Sequence, residues 1–222
     1  MMIVSVRERY WGKLTRHHIL GLFCYSGKSP SSLKMHLSFN RFQFPHDQSF
    51  LIQWLVAEEW PFHVNHRLTP EKVSAMISGG TFDGSNHQSF WIDAQFEGRH
   101  HERIGMIRLI DIDDIGDGDP LFDIRIQSRY RGQGIGRQAV AWLTKYFFEN
   151  WPELKRISGA TRSDNRGMRR TFITNGYIKE GHFRQDWPGS DGFDHDSVLF
   201  TILRGDWQKK EITPLNWNDE IS

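Results

Sequence analysis

Arg129-Tyr130-Arg131-Gly132-Gln133-Gly134-Ile135-Gly136-Arg137 joins a β-like run, Leu121 to Gln127, to an amphipathic stretch that reads as a helix from about Gly134 to Asn150. Glycines at 132, 134 and 136 permit a tight turn with backbone N–H groups directed inward, and the opening helix adds the positive end of its dipole. Such a junction cradles a phosphate. The spacing G-x-G-x-G followed by Arg137 is not the G-x-G-x-x-G of dinucleotide folds, and no Gly-Lys-Ser/Thr follows as a P-loop requires. A protein-kinase reading fails as well, because the chain has neither a His-Arg-Asp nor an Asp-Phe-Gly triplet.

Outward from this loop, periodicity and punctuation predict the remaining elements. Met35 to Phe44 alternates as a strand and stops at Pro45. Asp47 is a candidate cap for a helix carrying Phe50, Leu51, Trp54 and Leu55, which Pro61 ends. Thr69-Pro70-Glu71-Lys72 starts a second helix, with Thr as cap and Pro at the first helical position, closed by Gly79-Gly80. Ser89–Phe96 and Arg103–Asp111 read as an antiparallel hairpin around a polar turn at 97–101. Beyond the central helix, Leu154–Thr161 is a strand, Asn165–Asn175 a helix with Gly176 as its left-handed cap, and Tyr177–Trp187 and Asp196–Leu203 two final strands. The order β-α-α-β-β-β-α-β-α-β-β predicts a mixed α+β domain with one core.

Composition bounds what that domain does. A chain of 222 residues, 38% hydrophobic and 14% aromatic, buries one substantial core and leaves room for an appendage. Net charge of +1 argues against a global nucleic-acid-binding surface, so no nucleic-acid partner is expected. The single Cys24 excludes an intrachain disulfide and a Cys-rich zinc site and fits a reducing compartment, with the cytoplasm as the simplest address. No apolar run approaches the roughly 20 residues of a membrane span, so no membrane partner is expected. Residues 1–34 set Arg7, Arg9, Lys13, Arg16, Lys28 and Lys34 against Glu8 alone and contain a Ser/Gly/Pro linker at 26–32. They read as a basic extension outside the core: an RNA- or membrane-binding arm, a targeting peptide, or sequence upstream of a start at Met35. Residues 35–207 form the domain and 208–222 a tail.

Arg131 to Gly136, in this element order, resembles the pyrophosphate loop of the GNAT superfamily of N-acetyltransferases. A second match is Ser163-Asp164-Asn165-Arg166-Gly167-Met168, leading eleven residues after the Asn to Gly176-Tyr177. The ending Glu180-Gly181-His182-Phe183-Arg184, then Asp196 to Phe200 and Gly205-Asp206-Trp207, is similar to the RimJ/RimL-like branch, whose best-known members acetylate protein N-termini. The resemblance implies a GNAT fold, a mostly antiparallel mixed sheet flanked by about four helices. It implies acetyl-coenzyme A as acetyl donor and an amine-bearing acceptor, either a small molecule (an aminoglycoside, a polyamine or an amino-acid-like metabolite) or a protein N-terminus. A homodimer is compatible with it.

Site residues follow from the same resemblance. The strand before the loop splays from its neighbour, so that backbone groups near Ile124, Arg125 and Ile126 receive the pantetheine arm and acetyl carbonyl. Arg131, Gly132, Gln133, Gly134, Ile135 and Gly136 hold the pyrophosphate, Arg137 adds charge, and the Asn165 amide contacts the pantetheine or nearby backbone. Read as bare residues, the alternatives are a solvated helix position for Arg137 and a helix cap for Asn165. The loop between the first two helices selects the acceptor; Trp60, Phe62 and His63, beside Glu58 and Glu59, offer an aromatic, acidic rim suited to a cationic amine, or else Trp60 and Phe62 pack the core.

Acetyl transfer to an amine needs a base near working pH and stabilisation of the developing oxyanion. Asp123, between Phe122 and Ile124, is the first candidate base, since partial burial raises a carboxyl pKa. Alternatively it pairs with Arg125 or Arg108 across the sheet. Asp111 and His182 are weaker candidates. Many family members carry a Tyr seven residues after the Asn as general acid, but Phe172 stands there, and Met168 replaces the Ser found in part of the RimJ/RimL-like branch. Those two departures leave open a non-catalytic acyl-coenzyme A sensor or partner-binding module. No metal site is expected: Asp111 to Gly116 is only partly similar to a calcium loop, and His63, His66, His100 and His101 lack zinc-ligand spacing.

Overall fold

Among the described residues, seven strands pair into two antiparallel sheets. The protein is described by a computed structural model for residues 35–96, 98–113, 115 and 120–217. The chain divides into two compact units, residues 33–213 and a second of 1–32 with 214–222. All elements below belong to the first unit. Of the second, 214–217 are exposed and without regular structure. The basic segment 1–34, and residues 114 and 116–119 of the calcium-like stretch, lie outside the described residues.

In chain order the elements are β1 (His36–Arg41), α1 (Gln48–Val56), α2 (Pro70–Ser78), β2 (His87–Phe96), β3 (Arg99–Ile110), β4 (Leu121–Ile126), α3 (Ile135–Asn150), β5 (Arg156–Arg162), α4 (Arg166–Thr174), β6 (Ile178–Pro188), β7 (Asp194–Leu203) and α5 (Arg204–Lys209). This is an α+β arrangement, with five α-helices among the described residues where about four were expected. The first sheet runs β1-β2-β3-β4 and the second β5-β7-β6.

Local chemistry accounts for most boundaries. Thr69 caps α2 by accepting from the Lys72 N–H, with Pro70 at the first helical position. Asp47 does not cap α1. Its own backbone is already helical, and its carboxylate turns inward to accept from the Gln43 N–H at 2.8 Å and from Arg103 Nη2 at 2.8 Å. The carbonyls at the end of α3 are taken by Arg204, whose Nη1, Nη2 and Nε donate to the oxygens of Phe148, Trp151 and Leu154.

Two hydrophobic clusters replace the single expected core. α3 and α4 cover one, built on Ile92, Ile107, Leu109, Ile135, Leu143, Phe172 and Phe200. α1 and α2 cover the other, built on Leu51, Trp54, Leu55, Trp60, Val73, Trp91 and Met106. Strand alternation divides the β2–β3 hairpin between them: Ile92 and Ile107 face one cluster, Trp91 and Met106 the other.

Candidate active site

β4 and β5 are the facing edges of the two sheets, and no strand pairing joins them among the described residues. A cleft of about 850 Å³ opens at this seam. β4 pairs with β3 on its other side, and Gln127 N–H continues that ladder to the Ile104 carbonyl. Hydrogen bonding alternates along an antiparallel strand, so the backbone groups of Ile124 and Ile126 face outward at the seam. The Ile126 carbonyl accordingly accepts from Arg131 Nε rather than from β3. Ile124 and Ile126 both line the cleft. Arg125 is absent from the cleft lining; its side chain is buried, donating from Nε to Asp123 at 3.0 Å and lying over the Trp60 ring.

The glycine turn lies at the mouth. Gly132 has φ 76° and Gly134, the N-cap of α3, φ 83°, both in the left-handed region that suits glycine. Gly132, Gly134, Ile135, Gly136 and Arg137 line the cleft beside the free N–H groups of the first turn of α3. Gln133 is absent from the lining, and its side chain folds back to the Arg129 carbonyl. Arg131 lines the cleft with its guanidinium turned toward the protein: besides Ile126 it approaches Glu58 at 3.7 Å and lies over Trp60.

Across the seam, Asn165 lines the cleft while its amide serves the helix. Oδ1 accepts from the Met168 N–H, and Nδ2 donates to Thr161 Oγ1. Met168 lines the cleft too. Phe172 does not: it is fully buried against Phe200, Tyr177 and Phe122. Sequence reasoning missed Arg166 and Arg170, which line the cleft one helical turn apart on α4. Neither they nor Arg137 pair with a carboxylate among the described residues. Their i,i+4 spacing was the signal. Three unpaired guanidiniums beside exposed backbone N–H groups fit a ligand with several phosphates, as coenzyme A has.

At the other end, the 58–66 loop closes the cleft. Trp60 is fully buried, stacked on Trp54 with Nε1 donating to the Leu55 carbonyl, so it forms the floor and belongs to the core. Phe62 and His63 line the opening. The acidic part of the rim is already neutralised: Glu59 pairs with Arg67, and Glu58 accepts from the Ser128 N–H and faces Arg131.

Asp123 lies beneath His63. His63 Nδ1 and Asp123 Oδ1 are 3.0 Å apart, Arg125 Nε reaches Oδ2 at 3.0 Å, and Arg108 stands 4.0 Å away. The expectation of a raised Asp123 pKa is overturned. Burial does push it up, but Arg125, His63 and Arg108 outweigh that, and the carboxyl is held well below the usual carboxylate range. An ionised carboxylate so strongly held is a poor proton acceptor at neutral pH. Of the weaker candidates, His182 is exposed and paired with Asp196 at 2.8 Å.

Two antiparallel sheets parted at one seam, with a glycine turn opening a helix at its mouth, define an acetyltransferase-type fold. The acetyltransferase (GNAT) domain family matches residues 39–178 of the 222, and the chain belongs to that family and so to the N-acetyltransferase enzymes. A mutant form of the spermidine/spermine N-acetyltransferase SpeG from Vibrio cholerae has the same fold, with a TM-score of 0.59 at 18% identity over 79% of this chain and 99% of that one. SpeG in complex with manganese ions gives 0.59 at 18%, over 78% and 96%, and a chimera of SpeG with hSSAT gives 0.62 at 17%, over 78% and 98%. No curated protein matches the sequence. No helix among the described residues is long and apolar enough to cross a membrane.

Proposed function

We propose that this protein transfers the acetyl group of acetyl-coenzyme A to a primary amine by direct attack within a ternary complex. The observation that carries this reading is the seam: the outward backbone edge of Ile124 and Ile126 continues into the Gly132–Gly136 turn and to Arg137, Arg166 and Arg170, which have no carboxylate partner among the described residues. The donor supplies a thioester carbonyl. Backbone groups at the seam hold the pantetheine arm, and the arginine end holds the phosphates. The acceptor enters past Phe62 and His63.

With Glu58 and Glu59 neutralised within the protein, the rim does not by itself demand a polycation. SpeG is a spermidine/spermine N-acetyltransferase, whereas residues 180–184, 196–200 and 205–207 suggest the RimJ/RimL-like branch and a protein N-terminus. Both acceptor classes belong in the test. Calorimetry with acetyl-coenzyme A, followed by thiol release against polyamines, aminoglycosides and peptides with free N-termini, is expected to show binding and turnover on one class. Phe172 and Met168 motivate the second reading, an acyl-coenzyme A sensor; binding without turnover on any amine would favour it, and absence of binding sinks both.

A further inference from the structure

The geometry points to His63 as the group that takes the proton from the acceptor amine, with Asp123 as its positioning residue rather than the base itself. This rests on the acetyltransferase reading above.

The pair spans sixty positions of sequence and is made by two elements of different kinds. His63 comes from the loop that closes the cleft, where it lines the opening beside Phe62. Asp123 is on β4, immediately before the outward-facing Ile124–Ile126 edge begins its run to the glycine turn. Nδ1 is held at 3.0 Å by Asp123 Oδ1, which leaves Nε2 as the ring nitrogen with a free lone pair. The ring is fixed further by the edge of Trp60, 6.2 Å between centroids.

The charges around the pair keep its roles distinct. Arg125 from β4 and Arg108 from β3 both face Asp123, so one carboxylate meets two permanent cations before His63 is counted. Arg131 from the glycine turn and Arg125 also act on His63. Burial pushes the imidazole down, Asp123 opposes that, and the two arginines reinforce it, leaving the ring below its ordinary value. His63 is therefore neutral at physiological pH, while Asp123 stays ionised and cannot accept a proton there. A neutral acceptor poised beside a fixed anion is the arrangement that proton removal requires.

The step balances as follows. One proton passes from the acceptor ammonium to Nε2. The freed nitrogen pair forms the N–C bond to the acetyl carbon, the C–S bond breaks, and sulfur leaves with its electron pair. The second N–H proton goes to the departing sulfur, and the imidazolium returns its proton to solvent. Phe172 takes no part, so no protein acid is needed for a thiol whose pKa is near 8.5.

Two kinds of measurement test this. In the ligand-free protein, nitrogen NMR of labelled histidine, with His63→Gln assigning the signal, is expected to show the Nδ1–H tautomer; an Nε2–H tautomer overturns the proposal. In turnover, His63→Gln is expected to lose roughly 100-fold or more in kcat/KM with acetyl-coenzyme A affinity within about threefold. The acid limb of wild-type kcat/KM lies below the ordinary imidazole value, and Asp123→Asn, by removing the opposing anion, moves it lower still. His63→Gln leaves the Arg108–Asp123–Arg125 cluster intact should Asp123→Asn fold poorly. Wild-type turnover with His63→Gln within about fivefold overturns the base role and leaves the acetyltransferase reading standing. No wild-type turnover on any amine overturns that reading and the base role with it.

Discussion

Arg162 of β5 donates from Nη1 to the carbonyl oxygen of Pro61 at 3.2 Å, so a strand of the second sheet holds the loop that closes the cleft. The same guanidinium is bidentate to Asp164, at 3.0 and 2.6 Å, and lies over the Phe62 ring. Lysine keeps the charge but loses the fork and the stack. Arg162→Lys is expected to raise the acceptor KM roughly tenfold, about 1.5 kcal/mol, the lower end for a lost hydrogen bond to a charged group, and to leave acetyl-coenzyme A affinity nearly unchanged. Steady-state kinetics with each substrate varied in turn checks this; equal weakening of both substrates refutes it.

Arg166 and Arg170 are exposed, unpaired among the described residues and one turn apart on the cleft face of α4. Replacing both with alanine is expected to weaken coenzyme A binding about three- to thirtyfold, at about 0.3–1 kcal/mol for each exposed pair lost. Screening supplies the control: the deficit shrinks at high salt. Calorimetry at two ionic strengths measures it, and a salt-independent deficit argues against charge recognition.

Restoring the family's tyrosine at 172 should fail. The ring tip of Phe172 points at Gly159, where even a Cβ would come within 2.5 Å of Cζ. A hydroxyl on that carbon has nowhere to go. Phe172→Tyr is expected to cost about 1–3 kcal/mol through overpacking and to give no gain in kcat. A thermal melt and a turnover assay decide it, and a faster, equally stable variant refutes the placement.

The end of α3 depends on one side chain outside it. Arg204 satisfies three carbonyls, so Arg204→Ala is expected to lose about 2–4 kcal/mol and Arg204→Lys about 1–2. For a domain of this size that lowers Tm by roughly 2–4 °C per kcal/mol. Calorimetric melts check the order alanine, lysine, wild type.

Features written in consecutive residues were legible in the sequence. Thr69-Pro70 at the start of α2, Gly134 before α3 and Gly176 after α4 each act through their own backbone, so local reading found them. What depends on pairing across the fold was harder. Asp47 has the composition of a cap but answers to Arg103, fifty-six positions on. Asp123 reads locally as a carboxyl beside Arg125 and Arg108, but nothing local announces His63, so burial alone points to a raised pKa where two arginines and the His63 hydrogen bond lower it. α5 was missed because Gly205 weakens it as an isolated helix; buried Asp206, accepting from Thr213 N–H and Oγ1, ties it to the following chain.

The two hydrophobic clusters give the enzyme two separate inheritances. Ile135 and Leu143, which seat the glycine turn and its helix, belong to one; Trp60, which seats the closing loop, belongs to the other. Changes around Trp60 therefore bear first on the loop the acceptor passes, and reach the donor's turn through the Arg131 guanidinium that lies over the same ring.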